Sequence, residues 1–187
     1  PLTPERAVRR SLALLDAARA TGPAAVAVSG GGDSTALLHA AVAAGDRPVI
    51  AVTVDHGLRP GSAEEAAGAA AACARLGVPH ETLRWDGGGP GNLQERAREA
   101  RRRLIGAWAR ERGAAAVLLG HTADDQAETV LLNLMRGAGL TGLSGMRDDG
   151  RRPLLAIRRA DTTLLCDELG LRPVQDPTNH DLTIRRN

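Results

Sequence analysis

Six residues, Ser29-Gly30-Gly31-Gly32-Asp33-Ser34, constrain this chain more than any other stretch. The apolar run Ala24-Ala25-Val26-Ala27-Val28 precedes them, and Thr35-Ala36-Leu37-Leu38 opens a helical pattern directly after. Strand, glycine-rich turn and helix in that order place helix N-terminal N–H groups beside a backbone without side chains, which suits an anion such as phosphate. Ser29 and Ser34 add hydroxyl groups to that cradle. A Walker A loop would need a lysine after its last glycine, and all 24 basic residues of the chain are arginine. A G-x-G-x-x-G dinucleotide loop is also unmatched, because Asp33 and Ser34 fall within its last spacing. Taken alone, the six residues also fit a flexible turn that binds nothing.

The pattern around the loop repeats along the chain. Thr3-Pro4-Glu5 is a helix-start signature, and apolar spacing through Val8, Leu12, Leu15 and Ala18 predicts a first helix ending at Gly22. Strands are expected at 24–28, 48–54, 79–85 and 115–119. Helices are expected at 35–44, from a Ser62-x-x-Glu65 capping box to Gly77, from Asn92-x-x-Glu95 to about Gly113, and over 123–136. Beyond Gly137 the pattern weakens into a glycine-rich loop, a short apolar piece at 153–157, a helix near 162–169 and a polar tail. Alternating strands and helices predict an α/β, doubly wound, mostly parallel five-stranded sheet with helices on both faces, a Rossmann-like arrangement. Ligands of such sheets collect outside the carboxyl ends of the strands. The loops at 29–34, 55–61, 86–91 and 120–125 should therefore share one rim. With 187 residues there is material for one full core, so one domain is expected, with an α/β core over 1–145 and an extension over 146–187.

A second concentration of chemistry is Gly120-His121-Thr122-Ala123-Asp124-Asp125-Gln126-Ala127-Glu128. On a helix Asp125 and Glu128 are three apart and Asp124 and Glu128 four apart, so they share a face. Carboxylates that close repel one another unless a cation joins them, and a hard divalent ion with oxygen ligands would serve. An acidic first turn is also what the helix dipole favours, which accounts for Asp124 or Asp125 without any ligand.

Composition narrows the choice of partners. The net charge is +2, there is no Phe or Tyr, and Trp85 and Trp108 are the only large aromatics. Base recognition on stacked aromatic platforms therefore has almost no means here. Arg96, Arg98, Arg101, Arg102 and Arg103 read mostly as a solvated helix face. Arg147, Arg151, Arg152, Arg158 and Arg159 form a second basic group that would suit a nucleic-acid backbone. Cys73 and Cys166 are isolated among apolar neighbours and read as reduced thiols of a cytoplasmic protein. No apolar run reaches membrane-spanning length, so no membrane partner is expected.

The Ser29–Ser34 run resembles the S-G-G-x-D-S loop of the PP-loop ATP-pyrophosphatase family, whose fold is adenine nucleotide alpha hydrolase-like. The segment from Gly120 to Met146 resembles the G-H-x-x-D-D-x-x-E-T…R-G-x-G-x-x-G-L-x-x-M signature of the tRNA(Ile)-lysidine synthase branch. Asp55-His56-Gly57-Leu58-Arg59, Gln94 through Arg101, and Asp176-Pro177-Thr178-Asn179 through Arg186-Asn187 resemble three further motifs of that branch. The thiolating tRNA enzymes of this fold use cysteines in patterns that Cys73 and Cys166 do not match.

The resemblance implies ATP and Mg²⁺ as cofactors and tRNA(Ile) and free L-lysine as partners, and leaves room for a homodimer. It implies ATP binding by Ser29, Gly30, Gly31, Gly32, Asp33, Ser34, His56, Gly120 and His121. Asp33, Asp125 and Glu128 would hold magnesium, and with Arg186 would be catalytic. Arg98, Arg101 and Asp124 would meet tRNA or substrate. The expected reaction is adenylation of the wobble cytidine with release of pyrophosphate, followed by lysine attack and release of AMP. A PP-loop ligase acting on a small molecule, or an ATP-binding module without turnover, would share the loop. Members of the branch usually continue past R-N into further tRNA-binding segments, here expected to be absent or truncated.

Overall fold

The computed structural model describes residues 2–17, 20–58, 61–85, 87 and 92–173. Four parallel strands, β1 (Ala24–Ala27), β2 (Val49–Asp55), β3 (His80–Arg84) and β4 (Ala116–Leu118), form one sheet in the order β3-β2-β1-β4. The expectation was five strands, and four are present among the described residues. Register runs Ala24 against Val49 and Ala116 on either side of β1, and Ala51 against His80 between β2 and β3. Seven helices are described: α1 (Pro4–Ala17), α2 (Gly32–Ala44), α3 (Ser62–Arg75), α4 (Leu93–Glu111), α5 (Ala123–Met135), the short α6 (Leu140–Leu143) and α7 (Arg159–Glu168). The apolar piece near 153–157 is a 3₁₀ turn, Pro153–Ala156.

Strand β1 is buried on both faces, and its period of two sorts its side chains between two cores. Ala24, Val26 and Val28 pack with Val8 and Leu12 of α1, Leu37 and Leu38 of α2, and Cys73 of α3. Ala25 and Ala27, with Val52, meet Ile105, Trp108 and Ala109 of α4 on the other face. Truncating a fully buried leucine such as Leu37 to alanine should cost about 2–5 kcal/mol. Trp108 also donates from Nε1 to Glu81 Oε2 (2.8 Å), which ties α4 to β3. The chain moves from β1 outward to β2 and β3, then returns through α4 to place β4 on the opposite side of β1. The order reverses between β1 and β4, so the crevice of a doubly wound sheet opens between the loops that follow those strands.

Three helix starts differ from expectation, and that of α2 is at Gly32 rather than 35. Helix α3 is capped by Gly61, with no side-chain cap, because the Ser62 hydroxyl bonds instead to the Asp55 carboxylate. Helix α7 begins at Arg159, three residues before the predicted start. Asn92 caps α4 as expected, its side chain accepting from Gln94 N–H at 3.0 Å. Among the described residues no helix is long and apolar enough to cross a membrane.

Candidate functional site

Helix α2 starts three residues earlier than the periodicity predicts, so Gly32, Asp33 and Ser34 are its first turn. The chain reaches it through Gly30, whose φ of 85° lies in the left-handed region that favours glycine. Ser34 then locks the loop. Its hydroxyl accepts from Ser29 N–H (3.1 Å), donates to the Gly31 carbonyl (3.0 Å) and lies 3.1 Å from Ser29 Oγ. Thr35 Oγ1 donates to the same carbonyl at 3.0 Å. The helix has no side-chain cap, so its first N–H groups are presented to whatever lies beyond the rim.

Helix α5 begins beside α2. A Cβ on Gly120 would stand 3.0 Å from Ser34 N and 3.1 Å from Asp33 C and O, so glycine is what lets the two loops touch. This packing role for Gly120 is one that sequence reasoning missed. Thr122, fully buried, caps α5 and donates from its amide (2.8 Å) and hydroxyl (3.0 Å) to Asp125 Oδ2. Asp125 thus spends one oxygen on its own helix and turns Oδ1 outward.

That outward oxygen meets Arg159. Arg159 donates from Nη2 to Asp125 Oδ1 (2.7 Å) and from Nε to Asp33 Oδ2 (3.1 Å), and its Nη1 lies 3.8 Å from Glu128 Oε1. Its backbone N–H donates to Asp124 Oδ2 at 2.7 Å, and Thr162 Oγ1 donates to Asp33 Oδ1 at 2.5 Å. Burial alone would lower the Arg159 pKa, but Asp125, Asp33 and Glu128 outweigh it and hold the guanidinium above its ordinary value. The structure therefore brings Asp33, Asp125 and Glu128 around the Arg159 side chain, with Asp124 on its backbone N–H, although the sequence placed Arg159 in a separate basic group. Thr162 and Arg159 were both missed. A signal existed: Arg158 and Arg159 stand at a helix N-terminus, where the dipole disfavours cations.

Magnesium can be tested against these groups. Among the described residues no three acids, histidines or cysteines come together closely enough to cage a metal ion. Magnesium bound with phosphates needs only one or two carboxylates, and Asp33 with Asp125 satisfies that on either side of the crevice.

His56 and His121 follow β2 and β4 on the same rim, and the Nδ1 atom of each is buried without a partner among the described residues. Burial lowers the pKa of His56 first, with Arg101 adding to it and Asp55 opposing. Burial also lowers that of His121, against Asp125, with help from Arg152, Arg101 and Arg98. Asp55 is held below its usual range by the Gly57 N–H (2.9 Å) and Ser62. His56 packs edge-on against Trp85 at 5.9 Å, and Arg96 lies over the Trp85 ring at 5.6 Å. Arg98 is exposed on α4, whereas Arg101 is partly buried and faces both histidines electrostatically. Arg186, Asp176, Asn179 and Arg59 lie outside the described residues.

A family model described as a PP-loop domain matches residues 4–187. The chain belongs to the PP-loop domain family. Among PP-loop relatives, a protein named tRNA(Ile)-lysidine synthase from Methylobacterium sp. (strain 4-46) is 48% identical, over 96% of this chain and 55% of its own length. One of the same name from Rhodococcus jostii (strain RHA1) is 50% identical, over 92% of this chain and 52% of its own. The chain thus spans about half the length of the curated relatives it matches. Among solved structures, a U34-tRNA thiolase from Methanococcus maripaludis superposes with a TM-score of 0.76 at 21% identity, over 93% of this chain and 65% of that one. An NMN synthetase from Francisella tularensis gives 0.64 at 14% identity, over 92% and 73%. These two share the PP-loop fold.

Proposed function

We propose that this PP-loop domain carries the nucleotide-activating site of a tRNA(Ile)-lysidine synthase. The observation that carries the reading is the pairing of the uncapped first turn of α2 with the carboxylates of Asp33, Asp125 and Glu128. Relatives of that name at 48% and 50% identity supply the substrate class.

In this reading the loop from Ser29 to Ser34 holds the β and γ phosphates of ATP through backbone N–H groups and the Ser29 hydroxyl, and Ser34 keeps the loop closed. Asp33 with Asp125 or Glu128 would hold a magnesium ion, which would supply charge neutralisation at the phosphates. The O2 atom of the wobble cytidine attacks the α-phosphorus, the bond to the bridging oxygen breaks, and pyrophosphate leaves. Donors fixed before the reaction stabilise the charge that develops there. The ε-amine of free lysine then attacks C2 of the ring and AMP departs, leaving the lysine nitrogen in place of oxygen. That amine is mostly protonated at neutral pH, so it needs a neighbouring base, a part we assign to Glu128 or Asp125. In the same reading His121, Arg98, Arg101 and Asp124 would meet tRNA or nucleotide, and Arg186 would serve the transferring phosphate.

The test is mass spectrometry of the anticodon nucleosides after incubating the protein with ATP, lysine and unmodified tRNA(Ile). Lysidine should appear at the wobble position, and Glu128→Gln should abolish it. An unchanged cytidine with the wild-type protein would overturn the reading, and full activity in the variant would remove Glu128 from the mechanism.

A further inference from the structure

Arg159 is a cation in the place a helix least favours. It is the first residue of α7, where the aligned peptide dipoles present positive charge. Its guanidinium turns away from its own helix and reaches two others, α2 through Asp33 and α5 through Asp125 and Glu128. Each of its three nitrogens faces a different carboxylate, at 3.1, 2.7 and 3.8 Å. Guanidinium cannot release its proton under any condition the protein meets, so this charge is permanent. The side chain is 41% exposed, so it has solvent beside it and room to move. Its backbone is fixed independently, because its N–H donates to Asp124 at 2.7 Å and Thr162 holds Asp33 from the next turn of α7. The anchor is therefore rigid, while among the described residues the head is held only by the acids.

We propose that Arg159 is the resident counter-cation of the Asp33, Asp125 and Glu128 carboxylates, and that it must release them when a divalent ion arrives with nucleotide phosphates. This rests on the proposed reading of those carboxylates as the metal-holding side of an ATP site. Two consequences follow from charge alone. In the nucleotide-free protein Arg159 competes with the ion for the same oxygens, so metal affinity is low. Once phosphates lie on the α2 turn, the displaced guanidinium gains an anionic partner that its planar fork matches well. Arg159 thereby makes metal and nucleotide bind together, and neither loads fully alone.

The experiment measures Mn²⁺ binding by electron paramagnetic resonance on nucleotide-free wild type and on R159Q, R159M and R159K. The two neutral variants differ in shape, so one remains if the other fails to fold. Both should bind Mn²⁺ about tenfold tighter than wild type, a coupling of ordinary size, whereas R159K should stay near wild type. Adding D125N to R159Q should remove the gain, which places the ion at these carboxylates. ATP should raise Mn²⁺ affinity strongly in wild type and much less in R159Q. Equal Mn²⁺ affinity in nucleotide-free wild type and both neutral variants would overturn the role given to Arg159. A wild type whose Mn²⁺ affinity ignores ATP would overturn the functional reading instead, while the nucleotide-free comparison still decides on Arg159.

Discussion

Helices α2 and α5 begin on the same rim, after the neighbouring strands β1 and β4, and they finish their N-termini in opposite ways. Helix α2 enters from Gly31 in extended conformation, with φ −72° and ψ 162°, and no side chain caps it. Helix α5 is closed by Thr122 and Asp125, which satisfy each other across the first turn. One helix start is left without a side-chain cap, and the other is sealed by a threonine and an aspartate that turns a carboxylate oxygen outward. The rim geometry of a parallel sheet supplies both positions. What distinguishes them is the side chains of a single turn.

The largest expected effect separates the two duties of Asp125. Asp125→Ala removes both cap and outward charge, so AMP formation should fall by about 10²–10³ and stability by about 1 kcal/mol. Asp125→Asn keeps an oxygen that accepts from Thr122, so the melting temperature should stay within about 2 °C while AMP formation falls equally. An active Asn variant would break the contrast between the helices. Gly120→Ala comes next, because a Cβ there meets Ser34 N at 3.0 Å and forces the two helix starts apart. Calorimetry should show a loss of about 1–3 kcal/mol, and titration about tenfold weaker ATP binding. Unchanged binding would mean that the contact between the loops does not shape the nucleotide site.

Thr122→Ala opens the cap of α5 and leaves α2 untouched. Melting should drop by about 2–4 °C for a domain of this size, with ATP affinity unaltered. A large loss of affinity would show that the sealed helix also reaches the nucleotide. The smallest effect is the pH response of the rim histidines. His56 and His121 have folded pKa values below 6.5, so the unfolded chain takes up protons more readily than the folded one as pH falls. Their contribution to stability is complete above about pH 6.5 and is lost as pH drops through the folded values. Thermal melts should therefore decline on acidification below neutrality, and His121→Gln should flatten that decline. A slope identical in the variant would assign it to other groups.

How much of this could be read from sequence depended on distance along the chain. The Ser29–Ser34 turn is contiguous, six residues between an apolar strand and a helix, and Ser29, Gly31 and Ser34 hydrogen-bond to one another within it. The acid face was legible for a similar reason, since helical spacing alone puts Asp125 and Glu128 together. Arg159 lies 126 residues from Asp33 and 34 from Asp125, and no local rule connects them. Starting α7 near 162 hid it further, by leaving Arg158 and Arg159 in a polar connector where charge usually means solvent. Gly120 stood out in sequence only by its resemblance to a ligand-binding glycine, and the fold gives it a further part, permitting backbone contact with Ser34. Ser62 has the pattern of a capping box, yet its hydroxyl is drawn to Asp55, a long-range attraction that outweighs the local one.

The account rests on the open turn of α2 gripping the far end of ATP so that cleavage falls between the α and β phosphates. Supplying the protein with ATP labelled at the α-phosphate, together with lysine and tRNA(Ile), tests that directly by chromatography of the labelled product. Label should appear in AMP, matched by pyrophosphate and dependent on the tRNA. Label accumulating in ADP, with orthophosphate released, would contradict it.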